Sequence, residues 1–538
     1  MKKTFITYCI LCMTLALFAA SCYDDKSTSG KISDTVEIDT TGFGAKIEIA
    51  NGNTLRLSPK VTPADDPDLA FEWKITVTSN GNETTFSKLS EEKDLERVIT
   101  QAPSQKPYSL VFTVTNKRTG VQYMHRYDVY VISQMGDGVL VADTRDGQTS
   151  DISLVRNKYV SAGYTGDTQY IHDSYSFTNG KKMEGVMRKL VYGPIGNTAQ
   201  AFYVTAMTDK TLENLDASTH GIIQNFDQMF TFPPEKDKEL QMLGTNAYSV
   251  FFVYEGDIYA YGRLVNAVTQ TFSDPLNYVS PSQITDKKFG NEYTQTNADL
   301  GVVFFFDKAR GAFYHMDPVA YPIASLTSGT GGSVNFDPNS LSGYTLIGSC
   351  RGEQVSGSPV HVRAHFILKD PQGAIDVYRL SHRYDPDVNN GSYFYESDGK
   401  YSAATCPDIE NALCFEGSYK RSVIYYATKS KVYPCVIGGS AVGVNESGVF
   451  TAPAGEEITA MSLFREAWSY YSQQSTDMEV MKEDANQLLV ATYNNTTQEG
   501  KVYVLPITGN SGSLGTADAD HTFTGFGRIT ALGTQGKQ

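Results

Sequence analysis

From Met135 onward the chain repeats one pattern: a run that is apolar at consecutive positions, a short polar turn often holding Gly or Asp, and a second run ending in Tyr, Val or Ile. Seven such units are legible, at Val139 to Val155, Ala201 to Met207, Val250 to Leu264, Val302 to Met316, Ala364 to Leu380, Val423 to Ile437 and Leu488 to Ile507. With Leu140, Phe202, Phe252, Val303, Phe366, Ile424 and Leu489 as comparable points, the intervals are 62, 50, 51, 63, 58 and 65 residues, enough for a four-stranded unit each. Runs such as Phe251-Phe252-Val253 and Val303 to Phe306 leave no polar face, so both sides of these strands must be covered. Radially stacked sheets cover both sides of a middle strand, whereas a sandwich leaves one side wet. The pattern therefore predicts a β-propeller over residues 135–538, with seven blades; the uneven spacing also fits six or eight. Ile458 to Met461 and Ile529 to Leu532 read as further short strands, the second placed to close a ring with a strand from the other terminus.

Residues 36–134 follow a different rule. Leu110 to Val114 and Tyr127 to Val131 alternate between apolar and polar, and Asn80-Gly81 and Thr119-Gly120 are turn signals. This predicts a small β-sandwich with Trp73 in its core. The Phe71-Glu72-Trp73 strand, the run Tyr108 to Thr115 and the closing YDVYVIS resemble PKD-like and other immunoglobulin-like repeats. The preceding segment, residues 22–35, is polar, small and aperiodic, as a flexible tether is.

The first residues bear on compartment. Lys2 and Lys3, the apolar stretch Phe5 to Ala20 and the small residues Ala19-Ala20-Ser21 read as a secretory signal over residues 1–21. The small residues stand directly before Cys22, which resembles a bacterial lipobox and makes Cys22 the candidate acylated N-terminus. Tyr23-Asp24-Asp25-Lys26 resembles the acidic signal that directs Bacteroidota lipoproteins to the outer face of the outer membrane. With the opening string GDGVLVADTRDGQTSDISLV of the repeat region, the whole arrangement resembles the PKD-like lipoproteins of Bacteroidota. That resemblance implies a lipid-anchored protein of the outer membrane, facing outward, that serves as an accessory to a SusC/SusD-type importer.

Charge narrows the partners. Lys plus Arg number 45 against 60 Asp plus Glu, a formal charge of −15, and loss of residues 1–21 takes it to −17. A nucleic acid would be repelled, and it is excluded as a partner. Cys350, Cys406, Cys414 and Cys435 include no CxxC pair; four thiols allow three pairings, and buried free thiols are the other reading.

Signatures of known chemistry are sparse. The chain has no HExxH, GxSxG, P-loop or dinucleotide fingerprint. His361 and His365 stand four apart in a segment that reads as extended, where a metal pair is not expected. Asp385, Asp387, Asn389 and Glu396 occupy positions 1, 3, 5 and 12 of a loop with Gly391 near its turn. Hard oxygens at that spacing suit calcium, the one candidate cofactor; a solvated turn between strands is the bland reading.

Aromatics in polar segments form three groups: Tyr164, Tyr170 and Tyr175; Tyr393, Phe394, Tyr395 and Tyr401; Trp468, Tyr470 and Tyr471. Flat rings with a polar tip suit stacking on sugars or packing on peptide side chains. Tyr393, Tyr395, Trp468, Tyr470 and Tyr471 are the candidate ligand-binding residues. The leading expectation is a non-enzymatic accessory of a nutrient importer that binds glycan or peptide or docks on the importer. The alternatives are a surface glycosidase or peptidase, with carboxylates or His from several blades meeting at the propeller's central face, and a purely structural or adhesive protein.

Overall fold

The computed structural model describes residues 35–39, 46–194, 202–262, 271–272, 303–316, 323–465 and 485–536, apart from single residues and short runs within them. The fold is all-β, and the chain divides after Ile132 into two compact units. Among the described residues no helix is long and apolar enough to cross a membrane.

In the first unit, Leu69–Thr76, Tyr108–Asn116 and Gln122–Ile132 form an antiparallel centre, flanked by Phe86–Ser90 on one edge and by Lys46–Ala50, running parallel to Gln122–Ile132, on the other. Two short ladders, Thr54–Leu57 with Leu95–Val98 and Glu37–Asp39 with Lys60–Thr62, complete the unit. Trp73 is fully buried against Phe112, ring centroids 4.3 Å apart, and its indole N–H donates to the carbonyls of Glu92 and Lys93. Gly120 takes φ 72° in the turn between the two longest strands, and its N–H donates to the Asn116 carbonyl at 2.8 Å. A left-handed residue is needed there, which Gly supplies without steric cost.

The second unit contains, among the described residues, seven antiparallel meanders, of which the fifth and sixth are joined into one sheet through the parallel pairing of Ser402 with Ala441. The first joins Gln169–Ile171, Thr149–Arg156, Gly138–Thr144 and Arg528–Gln535. The second runs Met187–Pro194, Phe202–Thr208, Leu212–Asp216 and Ile222–Gln224; the third Leu240–Thr245, Ser249–Tyr254 and Asp257–Gly262; the fourth Val303–Asp307, Ala312–Met316 and Ile323–Ser325. The fifth comprises Thr345–Val355, Val360–Lys369, Ile375–Asp385 and Ser392–Ser402; the sixth Cys414–Gly417, Val423–Ala427, Lys431–Gly438 and Ala441–Val444. The seventh is built on Glu456–Leu463, Gln487–Asn494 and Glu499–Thr508. Each of the seven hairpin units read from the sequence falls in a different meander. The ends of the unit share one sheet: Val139 pairs with Thr534, and Leu140 with Gly533.

Consecutive apolar positions are explained by what lies on either side. Every residue of Gly138–Thr144 and of Val423–Ala427 is buried. Leu140 and Ala142 pack with Leu190, Val204 and Leu215 of the second meander, while Val139 and Val141 pack with Leu489 and Val502 of the seventh. Phe366 and Leu368 face the fourth meander at Phe306 and Phe313, and Ile367 between them faces Ile424 and Tyr426 of the sixth. Val423 and Tyr425 pack with Leu488 and Val490 of the seventh. Val191, Met207 and Leu212 join Leu243 and Phe252 of the third. Sheets thus stack in chain order from the first to the third and from the fourth to the seventh, with the seventh against the first. Each fully buried Leu, Ile, Val or Phe side chain contributes roughly 1.5–3 kcal/mol, so the double-faced strands dominate the stability of this unit.

Candidate functional site

The fifth meander carries most of the residues that sequence chemistry singles out. Its last two strands, Ile375–Asp385 and Ser392–Ser402, pair antiparallel with Tyr384 opposite Tyr393, Arg383 opposite Phe394 and His382 opposite Tyr395. Alternation then sorts these residues onto two faces. The connecting turn is tight and polar: the Asp387 N–H donates to Asp385 Oδ1 at 3.1 Å, the Gly391 N–H donates to the Val388 carbonyl at 2.8 Å, and Asn389 and Gly391 take φ 50° and 107°.

One face is a ladder of rings. His315 of the fourth meander lies flat on Tyr395, centroids 3.6 Å apart and planes 9° apart. Tyr395 is parallel to His382, 4.9 Å and 3°, and His382 is followed by Tyr393 at 5.2 Å and 25°. Tyr384 leans on Tyr393 at 4.9 Å. His315 and His382 are buried, Tyr395 is half-buried, and Tyr393 is 42% exposed, so the ladder runs from the core to a ring open to solvent. Main-chain bonds hold the two sheets together at this level: the Thr327 N–H donates to the Tyr395 carbonyl at 3.0 Å and the Ser397 N–H to the Thr327 carbonyl at 3.1 Å. Parallel stacking of this kind contributes about 0.5–1.5 kcal/mol per pair beyond burial and fixes the ring planes.

The other face is ionic. Arg383 places Nη1 2.9 Å from Asp385 Oδ2 and Nε 2.9 Å from Glu396 Oε1, and its guanidinium lies over the Phe394 ring at 4.1 Å. The hydrogen bond to Glu396 and the charges of both carboxylates raise the Arg383 pKa further above its ordinary value. Deeper along the sheet, Arg363 bridges Glu353 at 2.7 Å and Asp398 at 2.6 Å, Arg379 reaches Asp398 at 2.9 Å, and Ser422 of the sixth meander donates to Glu353 at 3.1 Å. His365 is fully buried beside them, 3.8 Å from Glu353, and burial pushes its imidazole down to about 4.

The structure brings together six of the sequence-derived candidates on one hairpin: Tyr393, Tyr395, Asp385, Asp387, Asn389 and Glu396. Both end carboxylates of the candidate calcium loop are engaged by Arg383, while Asp387 and Asn389 are exposed at the turn. A cation there would have to displace a guanidinium that already neutralises its ligands. Among the described residues no group of three or more His, Cys, Asp or Glu side chains is arranged to hold a metal ion. His365 sits in the extended strand Val360–Lys369, together with position 361.

Two aromatics grouped with the binding candidates are core residues. Tyr175 is fully buried and donates to Glu213 at 2.8 Å, and Tyr401 is buried among Ile367, Val377 and Tyr426. Tyr170 stacks on His172 at 5.3 Å, and the Tyr164 hydroxyl donates to the Asp167 carbonyl. Cys22, Trp468, Tyr470 and Tyr471 lie outside the described residues. Sequence reasoning missed His315, His382 and Arg383. The alternation His-x-Tyr against Tyr-x-Tyr on either side of a turn signals a cross-strand ring pair, but nothing local points to His315.

This is an all-β protein with a PKD-like N-terminal region. Residues 22–186 match the profile of the PKD-like family, a span that takes in the first unit and most of the first meander. No curated protein matches the chain. Among solved structures, a functionally unknown protein from Desulfotomaculum acetoxidans is 11% identical over 75% of this chain and 100% of its own, with a TM-score of 0.36. YCF48 from Cyanidioschyzon merolae is 9% identical over 67% of this chain and 94% of its own, TM-score 0.30. PorZ, a surface component of the type-IX secretion system of Porphyromonas gingivalis, is 8% identical over 62% of this chain and 38% of its own, TM-score 0.29. At such values the fold rests on the strand pairings alone.

Proposed function

We propose that this chain is a surface lipoprotein of the bacterial outer membrane, anchored through Cys22, whose second unit is a seven-bladed β-propeller serving a SusC/SusD-type importer as a platform for an oligomeric nutrient. Seven meanders in chain order, most of them packed on their chain neighbours, and a first sheet shared by the two ends of the unit support the propeller. The N-terminal signal, the small residues before Cys22 and the acidic Asp24-Asp25 support the anchor and its outward orientation.

The observation that carries the binding role is the ring ladder. Tyr393 is held between His382 and Tyr384 and is 42% exposed beside the polar groups of the Asp385 to Ser392 turn. A rigid exposed ring with hydrogen-bonding neighbours is suited to the apolar face of a sugar, and immobilising it beforehand lowers the ordering cost of binding. Glycan is therefore the first class of ligand, with peptide second.

The test has two parts. Calorimetric titration of the chain from residue 22 against a panel of neutral and acidic oligosaccharides should yield at least one ligand whose binding Tyr393→Ala abolishes. Silence across the panel, or binding indifferent to Tyr393→Ala, overturns the platform. Pull-down of the tagged, lipidated protein from membranes should recover a SusC/SusD-type pair; recovery of the protein alone overturns the importer association.

A further inference from the structure

The first, fifth and sixth meanders each bury polar or thiol groups, and one pair lies where new covalent chemistry has an obvious course. Cys406 occupies the turn that follows Ser392–Ser402, its N–H bonded to the Ala403 carbonyl at 2.9 Å. Cys435 lies within Lys431–Gly438, paired with Ile424 on one side and Val444 on the other. Their sulfurs are 4.0 Å apart across 29 residues of chain, and both side chains are buried in the core shared by the fifth and sixth meanders. Cys414, nearer in sequence to Cys406, packs instead with the core between the sixth and seventh meanders.

We propose that Cys406 and Cys435 are a disulfide-forming pair, a covalent staple between the turn after the ring-bearing hairpin and the middle of the sixth meander. The sulfurs, 4.0 Å apart, must close by about 2 Å to bond. Neighbouring contacts hold the turn in place for it: the Tyr426 hydroxyl donates to the Pro407 carbonyl at 2.7 Å, and Thr405 Oγ1 donates to the Val442 carbonyl at 3.1 Å. The oxidant is a low-molecular-weight or protein disulfide. One thiolate attacks it and forms a mixed disulfide with loss of one thiol; the second thiolate displaces the other thiol, so two electrons and two protons leave the pair for each oxidant disulfide reduced. Because both sulfurs are buried in the folded chain, exchange takes place during folding or through local opening. The inference does not depend on the binding role; the oxidant it needs is of the kind met in an exported compartment such as that proposed above.

The full chain, refolded with oxidised and reduced glutathione, alkylated in denaturant and mapped by peptide mass spectrometry, tests it. The expected product is one cross-linked peptide pair containing Cys406 and Cys435, with Cys350 and Cys414 alkylated. Closing a loop of this length predicts a melting temperature about 4 °C above that of the same protein reduced. Cys406→Ser should remove both the link and the shift, and Cys414→Ser neither. A link between Cys406 and Cys414 or between Cys350 and Cys435, or alkylation of both Cys406 and Cys435, overturns the assignment. The wild-type map decides this even where a variant fails to fold.

Discussion

His220 Nε2 stands 3.0 Å from Gln535 Oε1, joining the Leu212 to Ile222 hairpin to the last strand of the first meander. The other end of the same amide donates to the carbonyls of Met135, Gly136 and Ala217, and His220 Nδ1 lies 2.7 Å from Ser174 Oγ. His220 and Gln535 are both buried, so each of these groups depends on the others for hydrogen bonding. Gln535→Leu strands three carbonyls and an imidazole nitrogen at once. It should cost about 3 kcal/mol of stability, read as a lower urea midpoint with unchanged slope.

The same buried imidazole sets a dependence on pH. Burial lowers the pKa of His220, and burial brings His365 down to about 4, where Glu353 partly offsets it and Arg379 adds to it. In the unfolded chain both rings titrate near ~6.5. The unfolded state therefore binds protons first, so folding stability is full above pH ~6.5 and falls as pH drops toward about 4. His365 alone can account for about 3 kcal/mol of this loss. Urea midpoints between pH 4 and pH 8 should show the fall, and His365→Gln should flatten part of it.

Two tyrosines two residues apart should behave differently. Tyr393 is 42% exposed, so Tyr393→Ala should cost only about 1 kcal/mol, the loss of its ring contacts, while removing binding of any oligosaccharide the parent chain takes. Tyr395 sits against both His315 and His382, and Tyr395→Ala should cost about 2 kcal/mol by opening a gap in the ladder. Thermal melts and titrations of the two variants side by side check both statements.

Calcium is expected to do little to the parent protein. Arg383 already engages Asp385 and Glu396, so about 5 mM calcium, above the affinity of typical extracellular modules, should leave the melting temperature unmoved. Arg383→Met leaves those two carboxylates unneutralised, and the variant should melt lower and recover part of the loss on addition of calcium.

Much of this architecture was legible because its strands are unusual. A run such as Val303 to Phe306 has no polar side, and only stacking between two other sheets satisfies it. The seven hairpins could therefore be located, and the alternating strands around Trp73 stood apart from them. The site was less legible. Tyr393 and Tyr395 could be picked out as aromatic residues in a polar segment, but Tyr175 and Tyr401 carry the same local signal and are core. Burial is decided by neighbouring sheets, which local composition does not encode. His315 meets Tyr395 from another meander, and Arg383 takes Glu396 because of cross-strand register. Both relationships exist only once the strands are paired.

The pairing of Gly138–Thr144 with Arg528–Gln535 has a consequence for how the molecule is made. Met135 and Gln535 meet although 400 residues separate them. During synthesis the second through seventh meanders can form as they emerge, but the first has an unsatisfied edge until Arg528–Gln535 has been delivered. A chain interrupted before residue 528 exposes a strand buried on both faces, the kind of surface that recruits other strands. Assembly of the first sheet therefore waits on residues 528–535, and the long sequence separation makes it a slow step.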